Sequence, residues 1–361
     1  FTIPDKLSEV YGKQVGLTAA VVVFILVSPA PYLLMTANLI SMVFDTSILT
    51  SLIISLILSG SYLIKGGFRS NIYADAFQFF VMFAGFALIL LVSLLSFGGL
   101  SFLSENLPDS HLSITGGTSP AFIIVWFLIA MWTFADPGFH QRSYAARSGD
   151  VAKKGILISI IFFALFDFLT TTTGLYAKAI LPNLSNPLMA FPLFAEKVLS
   201  PGLKGIFYAA MFATIISTLN SFLFLSATTV GRDFIFRIKN NSKEDKIKSY
   251  TIIGILLSGI ISISIAYYIP SVVEIWYTIG SIFIPGIILP VISAYYPKIR
   301  ISSTIIITEI LLAVSSGMIW FALRSRFTGI LSEFEPMIIG LAAAIMIHLF
   351  GLLRKSFSFD K

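Results

Sequence analysis

The sequence predicts an all-α polytopic membrane protein, and three observations carry that prediction. Of 361 residues, 57% are hydrophobic and 12% charged, and the mean hydropathy is +0.92, whereas about a quarter of an average soluble domain is charged. Apolar runs of membrane-crossing length, about 17 to 25 residues, recur near 17–43, 46–64, 73–97, 120–144, 155–177, 205–230, 250–269, 272–296, 302–323 and 337–353. Alternating these ten runs from a cytoplasmic start puts nineteen of the twenty-four lysines and arginines on one side, the positive-inside pattern. The expected location is the plasma membrane, with both ends of the chain cytoplasmic. The net charge of +6 is then a topology signal. Its basic residues are scattered among loops, so the lipid bilayer is a partner and nucleic acid is not. With no cysteine in the chain, thiolate metal sites and cysteine nucleophiles are excluded.

The first run holds Ser28-Pro29-Ala30-Pro31 at its middle. Two prolines two residues apart remove backbone donors and crowd the preceding turn, so the helix breaks there. Tyr32, Thr36 and Asn38 follow the break and either look into a cavity or pack. Gly66-Gly67, beside Lys65 and Arg69, predicts a tight turn before the third run. Asp75 and Gln78 enter that run's first turn. An acid there either answers the helix dipole or sits at the mouth of a cation path.

The fourth run ends in Trp132-Thr133-Phe134-Ala135-Asp136-Pro137-Gly138. Asp-Pro-Gly is the strongest helix breaker in the chain, and it predicts a discontinuous helix whose unpaired backbone groups can meet a ligand. Asp136 reads either as a functional intramembrane acid or as the cap of the second half-helix. His140 has no second ligand at i±4 and is expected to pack or hydrogen-bond and not to bind a metal. Asp167 lies mid-span without a named partner. The proline-rich stretch 178–204 is expected to form a semi-structured lid, the polar stretch 237–249 a cytoplasmic loop, and the eighth run a helix bent at Pro285 and Pro290. Glu309 and His348, in the last two runs, are assigned nothing beyond pairing with neighbours.

Within 205–230, Thr214, Ser217, Thr218 and Ser221 fall at i, i+3, i+4 and i+7, one face of a helix. Hydroxyl oxygens are hard ligands that suit a small hard cation without burying a full charge. The alternative is that Ala209, Ala213, Ser217 and Ser221 let helices pack closely. No HExxH, P-loop, GxSxG or carboxylate-plus-base motif is present, so the chain is not read as an enzyme and no catalytic residue is assigned.

The blocks TIPD at 2–5, YLIKGGFRSNIYADAFQ at 62–78, DPGFHQRSYAARS at 136–148, ATIISTLNS at 213–221, RDF at 232–234 and IWYTIGSIFIPGIILP at 275–290 resemble, in order, the sodium/solute symporter family. The resemblance implies a LeuT-type fold of two inverted five-helix repeats. On that mapping 1–16 is a cytoplasmic segment and 17–98 the last three helices of the first repeat. An extracellular loop follows at 99–119 and the second repeat at 120–296, and 297–361 holds two peripheral helices and a short tail. The family's first core helices are expected to precede Phe1. The family's sodium site is shared with the first of them, and its other half maps onto the Thr214 carbonyl and the Ser217 and Thr218 hydroxyls. Asp75 matches an acid tied to sodium passage. The sugar-contacting positions of sugar carriers fall on Ile129 and Phe163, which disfavours a sugar. Trp132 falls on the aromatic that gates the pocket.

The expected function is therefore a sodium-coupled secondary symporter importing a small organic solute by alternating access, with Na+ as the co-transported ion. Trp132, Thr133, Asp136, Tyr32 and Tyr277 are the expected solute-binding residues, and Thr214, Ser217, Thr218 and Asp75 the expected ion residues. Two alternatives are a solute-sensing membrane domain of a signalling protein and a proton-coupled carrier using Asp136 or Asp167.

Overall fold

The computed structural model describes residues 2–239, 245–328 and 334–359. The helices, in order, are α1 (Ile3–Tyr11), α2 (Lys13–Leu26), α3 (Ala30–Phe44), α4 (Ile48–Phe97), α5 (Leu100–Asn106), α6 (Asp109–Leu112), α7 (Pro120–Ala130), α8 (Pro137–Ala145), α9 (Gly149–Ile180), α10 (Ala190–Val198), α11 (Pro201–Thr228), α12 (Arg237–Lys239), α13 (Asp245–Tyr268), α14 (Val272–Tyr295), α15 (Ser303–Leu323) and α16 (Pro336–Phe359). A 3₁₀ turn, Met131–Ala135, joins α7 to α8, and a π-helical segment, Thr229–Phe236, joins α11 to α12. No strand occurs among the described residues.

Nine helical stretches among the described residues are long and apolar enough to cross a membrane, and the expected run at 46–64 is the shorter apolar helix Ile48–Ser61. The breaks at Ser28-Pro29 and Asp136-Pro137 fall where the prolines put them. The turn expected at Gly66-Gly67 does not form: α4 runs 50 residues without interruption. Glycine costs only about 1 kcal/mol in a helix interior, and apolar helix-forming sequence on both sides carries the backbone through. At 1.5 Å per residue α4 is about 75 Å long, more than twice the hydrocarbon core. Helix α14 is likewise continuous across Pro285 and Pro290. The stretch expected to be a cytoplasmic loop, 237–249, is helical at both ends, and its residues 240–244 lie outside the described residues.

Two compact units result. The first comprises residues 1–31, 119–145 and 222–361. Its core joins Ile3, Leu7 and Tyr11 of α1 and Val15, Ala19 and Val22 of α2 to Ile284, Ile288 and Val291 of α14 and Ile306 and Ile310 of α15. The amino-terminal segment is therefore no loose tail. A capping box starts α1, Thr2 accepting from the Asp5 amide and Asp5 from the Thr2 amide, and its apolar face is buried.

The second unit comprises residues 32–118 and 146–221. Phenylalanines organise it: Phe86 of α4 stands edge-on to Phe166 of α9, Phe191 of α10 and Phe207 of α11, with centroids 5.2 to 5.4 Å apart. Edge-to-face pairs add about 0.5–1.5 kcal/mol each beyond area burial. The proline-rich 182–200 stretch is semi-structured, with a 3₁₀ turn at Pro187–Met189 leading into α10 and Phe194 fully buried.

Candidate ion and solute sites

In the second unit, Gly85 lets α4 and α11 meet at backbone distance, since a Cβ there would collide with that of Ala210. Further along the same pair of helices, Asn71, Asp75 and Gln78 lie at i, i+4 and i+7 on α4. Ser217 and Ser221 lie at i and i+4 on α11. Ser217 Oγ donates to Asp75 Oδ1 at 2.7 Å. Asn71 Nδ2 donates both to Asp75 Oδ2 at 3.1 Å and to Ser221 Oγ at 3.0 Å. The Asn71 Oδ1 and Gln78 Oε1 atoms are buried and accept no hydrogen bond. Two of the four expected ion residues, Asp75 and Ser217, are thus in direct contact.

The other two turn inward on their own helix. Thr214 Oγ1 donates to the Ala210 carbonyl at 2.8 Å and Thr218 Oγ1 to the Thr214 carbonyl at 3.3 Å. Each hydroxyl spends its one hydrogen on the backbone and keeps lone pairs for a ligand. The donor set is one carboxylate with hydroxyl, amide and carbonyl oxygens, the chemistry of a hard cation. Among the described residues no three His, Cys, Asp or Glu side chains gather as a transition-metal site would require. Asn71 was missed in the sequence, although its i−4 spacing from Asp75 could have flagged it.

The helix break belongs to the first unit. Trp132 and Thr133 lie in the 3₁₀ turn, and Asp136 Oδ1 accepts from the Phe139 amide at 2.9 Å. Asp136 therefore caps α8, as one of its two readings held, and its carboxylate also faces Trp132 and Arg142. A Cβ on Gly138 would come within 2.9 Å of Asp136 Oδ1, so glycine there leaves the carboxylate room. The break frees the Phe134 carbonyl, which lies 2.9 Å from His140 Nε2. A carbonyl only accepts, so Nε2 carries the hydrogen. Nδ1 lies 3.2 Å from Tyr295 Oη. Hydrogen bonding was one of the two roles expected of His140, packing being the other. Tyr277 packs 6.0 Å from Trp126, centroid to centroid, with Glu335 and Arg324 as charged neighbours.

Tyr32 belongs to the second unit and is buried. Its backbone carbonyl accepts from Thr36 at 2.8 Å, and Asn38 likewise bonds the Leu34 carbonyl. These polar side chains repair their own helix. Asp167 is exposed on α9.

Such an all-helical chain, with broken apolar helices and a hydroxyl-lined face, has the architecture of a LeuT-like secondary transporter. A solved structure of a Na+-coupled sialic acid symporter superposes with a TM-score of 0.79 over 98% of this chain and 76% of that one, at 16% sequence identity. The family model for the sodium:solute symporter family matches residues 1–300, and the chain belongs to that family. The sodium/pantothenate symporter of Escherichia coli K12 is 29% identical over 236 residues, 63% of this chain and 49% of the relative. A sodium/proline symporter of Staphylococcus aureus is 24% identical over 217 residues, 57% of this chain and 42% of the relative. The matches thus span about half the length of these relatives. Both are transporters, and the chain is an integral membrane protein of a transporter family and not an enzyme.

Proposed function

We propose that the protein is a sodium-coupled symporter that imports a small organic solute by alternating access. The contact between Ser217 and Asp75 at 2.7 Å carries this reading. It joins a hydroxyl of the striped helix to a carboxylate, so an ion held by Thr214, Ser217 and Thr218 has Asp75 as its next oxygen. A small cation entering between them would replace the hydroxyl hydrogen as the partner of the carboxylate. Sodium bound there favours one conformation over the other, and that differential affinity is what couples the ion to the solute. Solute recognition is assigned to Trp132, Thr133 and Asp136 at the break and to Tyr32 and Tyr277. A sugar is disfavoured by Ile129 and Phe163. Residues 17–98 would supply the last three helices of the first repeat and 120–296 the second, in the plasma membrane with both ends of this chain cytoplasmic.

The test is sodium-dependent uptake by the full-length protein, screened over monocarboxylates, amino acids, vitamins and sugars. Ser217→Ala with Thr218→Ala should weaken the apparent sodium affinity about tenfold or more, equivalent to about 1.4 kcal/mol. An unchanged sodium dependence in that variant would remove the striped helix from the ion site. Replacing sodium by choline at constant pH separates sodium coupling from proton coupling. Topology is read with single cysteines, since the chain has none of its own. Lys153→Cys should label from the cytoplasm and Asn183→Cys from outside.

A further inference from the structure

Beyond residue 300, outside the segment matched to the family, two titratable side chains are buried against each other. Glu309 on α15 is 0% exposed and His348 on α16 is 6% exposed. His348 Nε2 lies 3.0 Å from the Ile299 carbonyl, and since a carbonyl only accepts, Nε2 carries a hydrogen. His348 Nδ1 lies 2.8 Å from Glu309 Oε2. A bare Nδ1 facing an ionised carboxylate would set two acceptors at bonding distance with nothing between them. One further proton is required. Glu309 Oε1 is buried with no hydrogen-bond partner, and a buried carboxylate with a bare oxygen costs far more than a neutral acid in the same place. The arrangement with least buried charge has the proton on Oε2, donated to Nδ1 of a neutral imidazole.

We propose that Glu309 and His348 form a buried proton-binding site whose single proton, held on Glu309 Oε2 and donated to His348 Nδ1, locks α15 and α16 onto the turn at 297–300. That turn is where the last carbonyls of α14 need partners. Arg300 supplies two of them, to Ala294 at 2.6 Å and Ser293 at 3.4 Å. Lys355 of α16 caps the Arg300 carbonyl at 3.0 Å, and His348 caps Ile299. From α1, Tyr11 Oη donates to Ser293 Oγ at 2.7 Å. The charged or titratable groups around the pair are therefore Arg300, Lys355 and Tyr11, while α14 offers a hydroxyl and carbonyls. Burial raises the Tyr11 phenol above its ordinary value, so Tyr11 stays protonated through the neutral range.

In the unfolded chain glutamate is ionised above about pH 4.3 and histidine is neutral above about pH 6.5, so above about pH 6.5 folding takes up one proton from water at this site, while between the two values the proton given up by histidine balances the one held by Glu309. Stability contributed by the pair is then level up to about pH 6.5 and lost as pH rises above it. Above about pH 6.5 the folding constant should fall about tenfold per pH unit from this site alone until the folded acid itself ionises. In Glu309→Gln the amide nitrogen donates to Nδ1 in place of the acid. That variant keeps the contact and has no carboxyl proton, so its stability is level above about pH 6.5.

The experiment compares denaturation midpoints of the purified 361-residue chain in detergent from about pH 5 to about pH 9, wild type against Glu309→Gln. The expected result is a fall with pH in the wild type that exceeds the variant's by one proton. Identical pH profiles would overturn the proposal. A second reading needs only the wild type. The chain has three histidines, so the ¹⁵N spectrum of His348 can be assigned by its loss in His348→Gln. A neutral, Nε2-protonated ring at pH 7 supports the site. An imidazolium, or a ring that titrates like a free histidine, overturns it.

Discussion

The face formed by Asp75 and Ser217 and the break at Met131–Pro137 solve the same problem in opposite ways. Both place polar groups within apolar sequence. The α4–α11 face keeps its helices intact and presents side chains, two of whose oxygens, Asn71 Oδ1 and Gln78 Oε1, are buried with no hydrogen-bond partner. The break surrenders backbone hydrogen bonds and then repairs them locally, Asp136 capping the Phe139 amide and His140 the Phe134 carbonyl. The first arrangement leaves coordination capacity for an ion, and the second leaves a shaped gap with its own polar groups already committed. Changes at the face should therefore register mainly in ion dependence, and changes at the break in stability and solute affinity.

The sharpest way to break this contrast is Asp75→Asn. It removes the one carboxylate from the face while its oxygen still accepts from Ser217, so the fold should survive. The apparent sodium affinity in uptake should fall by about a hundredfold, or about 2.7 kcal/mol. A fall in melting temperature with sodium affinity intact would invert the contrast. Next comes Gly85→Val. The added side chain would collide with Ala210 and part α4 from α11, costing about 1–3 kcal/mol of stability in chemical denaturation. Ion affinity should fall with it, since the two helices supply opposite halves of the face. At the break, Asp136→Ala should cost about 1 kcal/mol in the same measurement, and Asp136→Asn, which still caps, should recover most of it.

The smallest effect lies outside both regions. Lys204 at 2.5 Å and the Tyr208 hydroxyl at 2.5 Å hydrogen-bond Glu196 and hold its acid below the ordinary carboxylate value. A depressed acid stabilises the fold above its unfolded pKa, and that stabilisation is lost as pH falls through the folded one. Glu196→Gln should flatten the acid end of the stability profile only slightly, because the pair is largely exposed and screened.

How much of this was legible in the sequence depends on how far apart the partners stand. The helix breaks were readable because Pro29, Pro31 and Pro137 act on their own turn. The hydroxyl stripe was readable because its period is that of a single helix. Its contact with Asp75 was not, since the two residues are 142 positions apart and only the packing of Gly85 against Ala210 brings them together. Glu309 and His348, 39 positions apart, show the same limit, each visible alone as a misplaced polar residue. Gly66 and Gly67 failed for a different reason: glycine permits a turn without compelling one, and the flanking helix prevailed.

The π-helical stretch Thr229–Phe236 sets a rule for the chain's tolerance of length changes. A π turn closes from i to i+5 where an α turn closes from i to i+4, so this segment already stores surplus backbone. A deletion of one residue within it could be absorbed by tightening to α geometry, leaving the hydroxyl face upstream undisturbed. Everything downstream would then keep its register, with Arg237 still 2.6 Å from Asp5. The same deletion in α11 would turn the striped face away from Asp75. One chain thus holds, a few residues apart, a place where a residue can be dropped and a place where it cannot.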